Sequence, residues 1–165
     1  MGRRVMVGPE RVRRDELRIV GIEAWTSNRR EAEEATAAIP ALWRRFLGEG
    51  LERRIPDRTA TGRICAVYTD YERDHRGGYR FVVGAEVAGV DELPTGLVAV
   101  TVPAGDYLVF AARGPMPDAL VATWRRVWEY FEHAPARRAY TADLEVHYPA
   151  GSAVDVCVAL HRDDG

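Results

Sequence analysis

Residues 142–149 read Ala142-Asp143-Leu144-Glu145-Val146-His147-Tyr148-Pro149, and the alternation in this stretch decides which fold the chain can adopt. Leu144, Val146 and Tyr148 fall on one side of an extended chain, with Asp143, Glu145 and His147 on the other. The stretch is therefore a β-strand with a carboxylate at its centre. Two readings of the polar side are open at this point. It faces water, as half of an ordinary antiparallel strand does, or Glu145 forms the floor of an apolar pocket.

Working outward, a turn at 150–152 leads to a last strand over Val154–Leu160. Upstream, Met116-Pro117-Asp118 opens a helix that runs to about His133, with a buried stripe of Leu120, Trp124, Val127, Trp128 and Phe131. Before it, strands over 97–102 and 106–113 flank the turn Pro103-Ala104-Gly105. The first half has the same order. A strand from Leu17 to Trp25 precedes a helix from about Arg29 to Leu47, whose face is Ala32, Ala35, Ile39, Leu42, Trp43 and Phe46. Pro40 interrupts that face and predicts a kink or a restart near 38–41. Strands over Arg63–Asp70 and Tyr79–Val87 follow, joined through Gly77-Gly78.

The chain thus reads strand-helix-strand-strand twice, and the helices share a local pattern in Leu42-Trp43-Arg44-Arg45-Phe46 and Trp124-Arg125-Arg126-Val127-Trp128. The expected fold class is α+β: one antiparallel sheet, two helices on one face, and a pseudo-two-fold axis with a cleft where the halves meet. A single domain is expected over residues 1–165, with the charged residues 1–14 as a flexible arm.

Composition narrows the functions. Of 165 residues, 47% are hydrophobic and 29% charged, with no apolar run near the ~20 residues of a membrane span and no signal-peptide pattern, so the expected location is the cytoplasm. A net charge of −2 argues against nucleic acid as a partner. All 23 basic residues are arginine, which excludes Schiff-base lysines and the phosphate-loop lysine. Ser27 and Ser152 lie outside any nucleophile elbow, and His75, His133, His147 and His161 are too scattered to suggest a metal site. Cys65 and Cys157 read as buried free thiols. No cofactor is expected.

The remaining signal is aromatic. Trp25, Trp43, Trp124, Trp128, Tyr68, Tyr107, Phe110 and Tyr148 sit on or beside the strands and helices. Trp43 reads as core, whereas Trp124 and Trp128, one turn apart, can pave a pocket or fill a core. An acid among such rings attracts a cation electrostatically, and each ring adds about 0.5–2 kcal/mol of cation–π attraction.

Five segments together resemble the GyrI-like effector-binding domains, which include the ligand-binding halves of AraC- and MerR-type multidrug regulators. They are Ile39-Pro40-Ala41-Leu42-Trp43-Arg44-Arg45-Phe46, Ala66-Val67-Tyr68-Thr69-Asp70-Tyr71, Val102-Pro103-Ala104-Gly105-Asp106-Tyr107, Gly114-Pro115 and Asp143-Leu144-Glu145-Val146-His147-Tyr148-Pro149. The resemblance spans about residues 14–161. It implies a cleft for amphipathic, often cationic, molecules, with Glu145 at the pocket floor and Tyr68, Trp124 and Trp128 lining it. Trp25, Tyr107 and Phe110 complete the expected ligand-binding set, while Asp143 and His147 keep the solvent-facing reading. The first 15 residues do not form a helix-turn-helix, so the resemblance points to a stand-alone binder for sequestration or sensing. Two alternatives stay open. One is a cofactor-independent hydrolase of electrophilic, cyclopropane-containing genotoxins, with Glu145 as base and Tyr68 as hydrogen-bonding electrophile. The other is an interaction module that engages DNA gyrase or a separate regulator.

Overall fold

Ser27 ends the first long strand in extended conformation and its hydroxyl accepts from the Arg30 N–H, so one residue both closes a strand and starts a helix. In the computed structural model, which describes residues 8–134, 136–149 and 153–162, the elements run as follows. First come β1 (Glu10–Arg14), β2 (Leu17–Ser27), α1 (Asn28–Glu31), α2 (Ile39–Gly48), β3 (Ile64–Thr69) and β4 (Gly78–Glu86). Then come β5 (Val98–Val102), β6 (Gly105–Arg113), α3 (Asp118–His133), β7 (Ala142–His147) and β8 (Ala153–Ala159). The turn expected at 150–152 lies outside the described residues.

One expectation needs correction here. The segment read as a flexible arm up to residue 14 is a strand from Glu10 onward, paired with β6; its alternation is too charged to be recognised without its partner. The restart expected near 38–41 is found: the helical stretch from Arg29 to Leu47 divides into α1 and α2, with Pro40 in the first turn of α2. Ala38, the residue before α2, offers no side-chain cap. Glu31 of α1 supplies it instead, its carboxylate accepting from the N–H groups of Ala38 (2.8 Å) and Ile39 (3.0 Å).

The sheet order is β1-β6-β8-β7-β3-β4-β2-β5, antiparallel throughout. Each half lays its three strands down in the same order, β2-β4-β3 and β6-β8-β7, and the halves meet where β3 pairs with β7, with Ala66 opposite Glu145. β1 and β2 face β5 and β6 in one continuous register: Glu10 opposite Val109, Arg14 opposite Gly105, Leu17 opposite Val102 and Gly21 opposite Val98. Each outer strand is thus a near-continuation of a strand at the other end, and the sheet curls until its ends meet.

Curling buries both faces. The inner layer contains Ile19, Val67, Val82, Val102, Leu144 and Val146, together with Tyr107, whose hydroxyl donates to the Pro103 carbonyl at 2.6 Å. On the outer face α2 packs Leu42 and Phe46 against Val20, Ile22, Phe81 and Val83. α3 packs Val127, with Leu120, Trp124 and Phe131 beside it, against Leu108, Phe110, Val156 and Val158. Asp143 therefore does not face water: it is completely buried under the helix side of the sheet, because the polar side of β7 faces the helices.

The curl demands a close approach of backbones at one point. Gly21 and Gly84 stand opposite each other on β2 and β4, and a Cβ on Gly21 would lie 1.9 Å from the Val83 carbonyl oxygen. Backbone on the far side leaves no side chain to yield. Gly21→Ala is expected to lower stability by at least the ~1–3 kcal/mol of an overpacked core, read as a lower urea midpoint. Gly89→Ala, with open space around the site, is expected to leave the midpoint unchanged.

Candidate functional site

β7 carries two carboxylates on its helix side, two residues apart, and the sheet fold gives them different partners. Glu145 is 2% exposed. Its Oε2 accepts from the Tyr68 hydroxyl on β3 at 2.6 Å and from the Trp124 indole N–H on α3 at 2.8 Å, and its Oε1 lies 2.9 Å from His147 Nε2. The His147 ring is in turn tilted against Trp43 of α2, with centroids 4.7 Å apart. Strands from both halves and both long helices therefore converge on this one acid.

Asp143 is held by the other type of partner. The Arg138 guanidinium donates to it at 2.8 Å, the Tyr71 hydroxyl at 2.6 Å and the Ala159 N–H at 2.9 Å. It is a buried ion pair with both carboxylate oxygens hydrogen-bonded, which is a structural arrangement.

Above Glu145 lies a cleft of about 510 Å³ between α1, α2 and α3. Its walls include Tyr68, Tyr71 and Tyr79 from the sheet side, Trp124, Trp128 and Val121 from α3, and Glu31 and Ile39 from α1 and α2. The rings form contacts in sequence: Trp128 with Trp124, Trp124 edge-on to Tyr68, and Tyr68 against Tyr79.

Of the residues named from the sequence, Tyr68, Trp124 and Trp128 line the cleft, and Glu145 lies beneath its wall, bonded to Tyr68 and Trp124. Trp128 is 43% exposed, at the cleft mouth and not in the buried stripe expected of it; Thr123 and Val127 are the fully buried positions of α3. Trp25, Tyr107 and Phe110 do not join them. Trp25 is 58% exposed and points away from the α2 side of β2; Tyr107 belongs to the inner layer and Phe110 to the core under α3. Tyr71 and Arg138 were not legible in advance. Tyr71 lies three residues from Tyr68, an offset that puts two strand residues on opposite faces. The left-handed backbone of Asp70 (φ 51°) between them turns Tyr71 onto the same side.

Burial, and then the adjacent Glu145 carboxylate, push the Tyr68 hydroxyl well above the ordinary tyrosine range; burial and Asp143 do the same to Tyr71. Both remain donors throughout the neutral range. A group whose folded pKa is raised contributes stability below its unfolded value, ~10 for tyrosine, and that stability is lost as pH rises beyond it. The urea midpoint is therefore expected to fall above pH ~10, with phenolate absorbance appearing together with unfolding. Tyr68→Phe with Tyr71→Phe is expected to shallow that fall.

An α+β sheet curled around its own core, with two helices enclosing an aromatic cleft over a buried acid, defines an effector-binding module that takes a small molecule. A family model of integron-associated effector binding proteins, Cass2, matches residues 12–160, and the chain belongs to this family. The GyrI-like resemblance read from the sequence holds. YobU of Bacillus subtilis (strain 168), named for a proposed role as a transcriptional regulator, is 29% identical over 154 residues, covering 90% of this chain and 94% of that protein. The integron cassette protein from the mobile metagenome of Vibrio cholerae superposes with a TM-score of 0.80 at 28% identity, covering 94% of this chain and 97% of that one. SAV2435, solved bound to tetraphenylphosphonium, shares the fold at a TM-score of 0.76 and 17% identity, with 94% of each chain covered. No helix among the described residues is long and apolar enough to cross a membrane.

Proposed function

We propose that this chain binds a planar or amphipathic cation in the cleft above Glu145, for sequestration or sensing. The observation that carries this reading is the contrast between the two acids of β7. Asp143 has a guanidinium partner, whereas Glu145 is surrounded by a phenol, an indole and one imidazole. A carboxylate held by a phenol and an indole, with no guanidinium beside it among the described residues, retains an outward field that a cation satisfies, and the rings add cation–π attraction. The shared fold of SAV2435, bound to a lipophilic cation, supports the same chemistry.

The experiment is a titration with tetraphenylphosphonium followed by tryptophan fluorescence. Trp124 and Trp128 line the cleft, so saturable quenching is expected. Trp124→Phe removes the indole donor to Glu145 and is expected to remove most of that signal. Unchanged quenching in this variant would place the ligand elsewhere.

A further inference from the structure

The cleft has a second polar group whose donors are only partly used. Arg138 reaches the cleft wall with its side chain 6% exposed. Among the described residues its guanidinium makes one hydrogen bond, from Nη2 to Asp143, and it lies over the Tyr140 ring at 4.4 Å. Its Nε is buried, and no described residue accepts from Nε or Nη1. A guanidinium has five N–H donors in a planar fork shaped for a carboxylate.

A run of rings connects Glu145 to Arg138, whose partner Asp143 stands two residues from Glu145 on the same side of β7. Trp124 and Tyr68, both bonded to Glu145, begin it; Tyr68 meets Tyr79 at 5.6 Å, Tyr79 meets Tyr71 at 5.7 Å, and Tyr71 meets Tyr140 at 5.4 Å beside Arg138. The site therefore pairs two unlike groups beside aromatic surface, an acid with no guanidinium among the described residues and a guanidinium with spare donors. From this pairing we infer that the cleft selects an aromatic zwitterion, its cationic group at Glu145 and a carboxylate or similar planar acceptor at Arg138. Arg138 is the specificity residue. The inference rests on the reading of Glu145 as the cation anchor.

A matched pair of dyes tests it. Rhodamine 110 carries a free carboxyl group and rhodamine 123 is its methyl ester, so the two differ only at the acceptor. The wild-type chain is expected to bind rhodamine 110 about tenfold more tightly, the effect of one charge-assisted contact. The preference is expected to vanish in Arg138→Gln with Asp143→Asn, a pair of changes that leaves no lone buried ion. Equal or tighter binding of the ester by the wild type overturns the inference, whether or not the double variant folds. So does loss of the preference on Arg125→Gln alone, because Arg125 lies on the exposed part of the cleft wall. If tetraphenylphosphonium binds and neither rhodamine does, the zwitterion assignment fails and the Glu145 reading survives; if none of the three binds, both fail.

Discussion

Glu145→Gln is expected to weaken tetraphenylphosphonium binding about ten- to a hundredfold while leaving the fold intact. Two unit charges about 5 Å apart attract by about 3 kcal/mol at an effective dielectric of about 20, and part of that is offset by desolvating the ligand. The substitution removes the charge and puts an amide NH2 against His147 Nε2, which then acts as the acceptor. A glutamine oxygen still accepts from the Tyr68 hydroxyl and the Trp124 N–H, which now meet at Oε2. The urea midpoint is expected to stay level or rise, since the variant no longer holds a buried acid without a guanidinium partner. Titration calorimetry and urea denaturation on the same preparation check both halves. A large fall in stability with unchanged affinity would make Glu145 a structural acid like its neighbour.

Asp143→Ala is expected to do the opposite, destabilising by about 3–5 kcal/mol, the cost of breaking a buried ion pair from one side. The change strands the Arg138 guanidinium, whose side chain is 6% exposed, and removes the acceptor used by the Tyr71 hydroxyl and the Ala159 N–H. Adding Arg138→Met is expected to recover part of the loss by removing the orphaned charge. Urea midpoints of the single and double variants measure this directly. A single variant within 1 kcal/mol of the wild type would mean that the pair behaves as a solvated surface bridge.

These two residues also mark how far the sequence can be read. The 142–148 alternation announces a strand with acids on one side, and the repeated strand-helix-strand-strand order announces a sheet with two helices. Alternation reports a side, but not what covers it. Asp143 looks solvated until the sheet curls and its polar side faces the helices; the curl depends on the β1–β2 ladder with β5–β6, between segments far apart in the chain. For the same reason Tyr107 and Phe110, read as pocket rings, are core residues on opposite faces of the wrapped sheet. The restart of the first helix was legible from Pro40, but its cap was not, since Glu31 reaches it from another element. Glu145, Tyr68 and Trp124 were nameable because the motifs around them resemble those of a known family. Tyr71 was not, because a single left-handed residue, Asp70, reverses the face that strand periodicity assigns to it.

The charge of Glu145 is tested most directly by tetraphenylphosphonium and tetraphenylborate, ions of nearly one shape and opposite sign. With Glu145 as the anchor, the wild-type chain binds the phosphonium and discriminates against the borate by at least about tenfold, and Glu145→Gln brings the two affinities together. Equal affinity of the wild type for both ions, or a gap that the substitution leaves untouched, would contradict a cleft organised around that carboxylate.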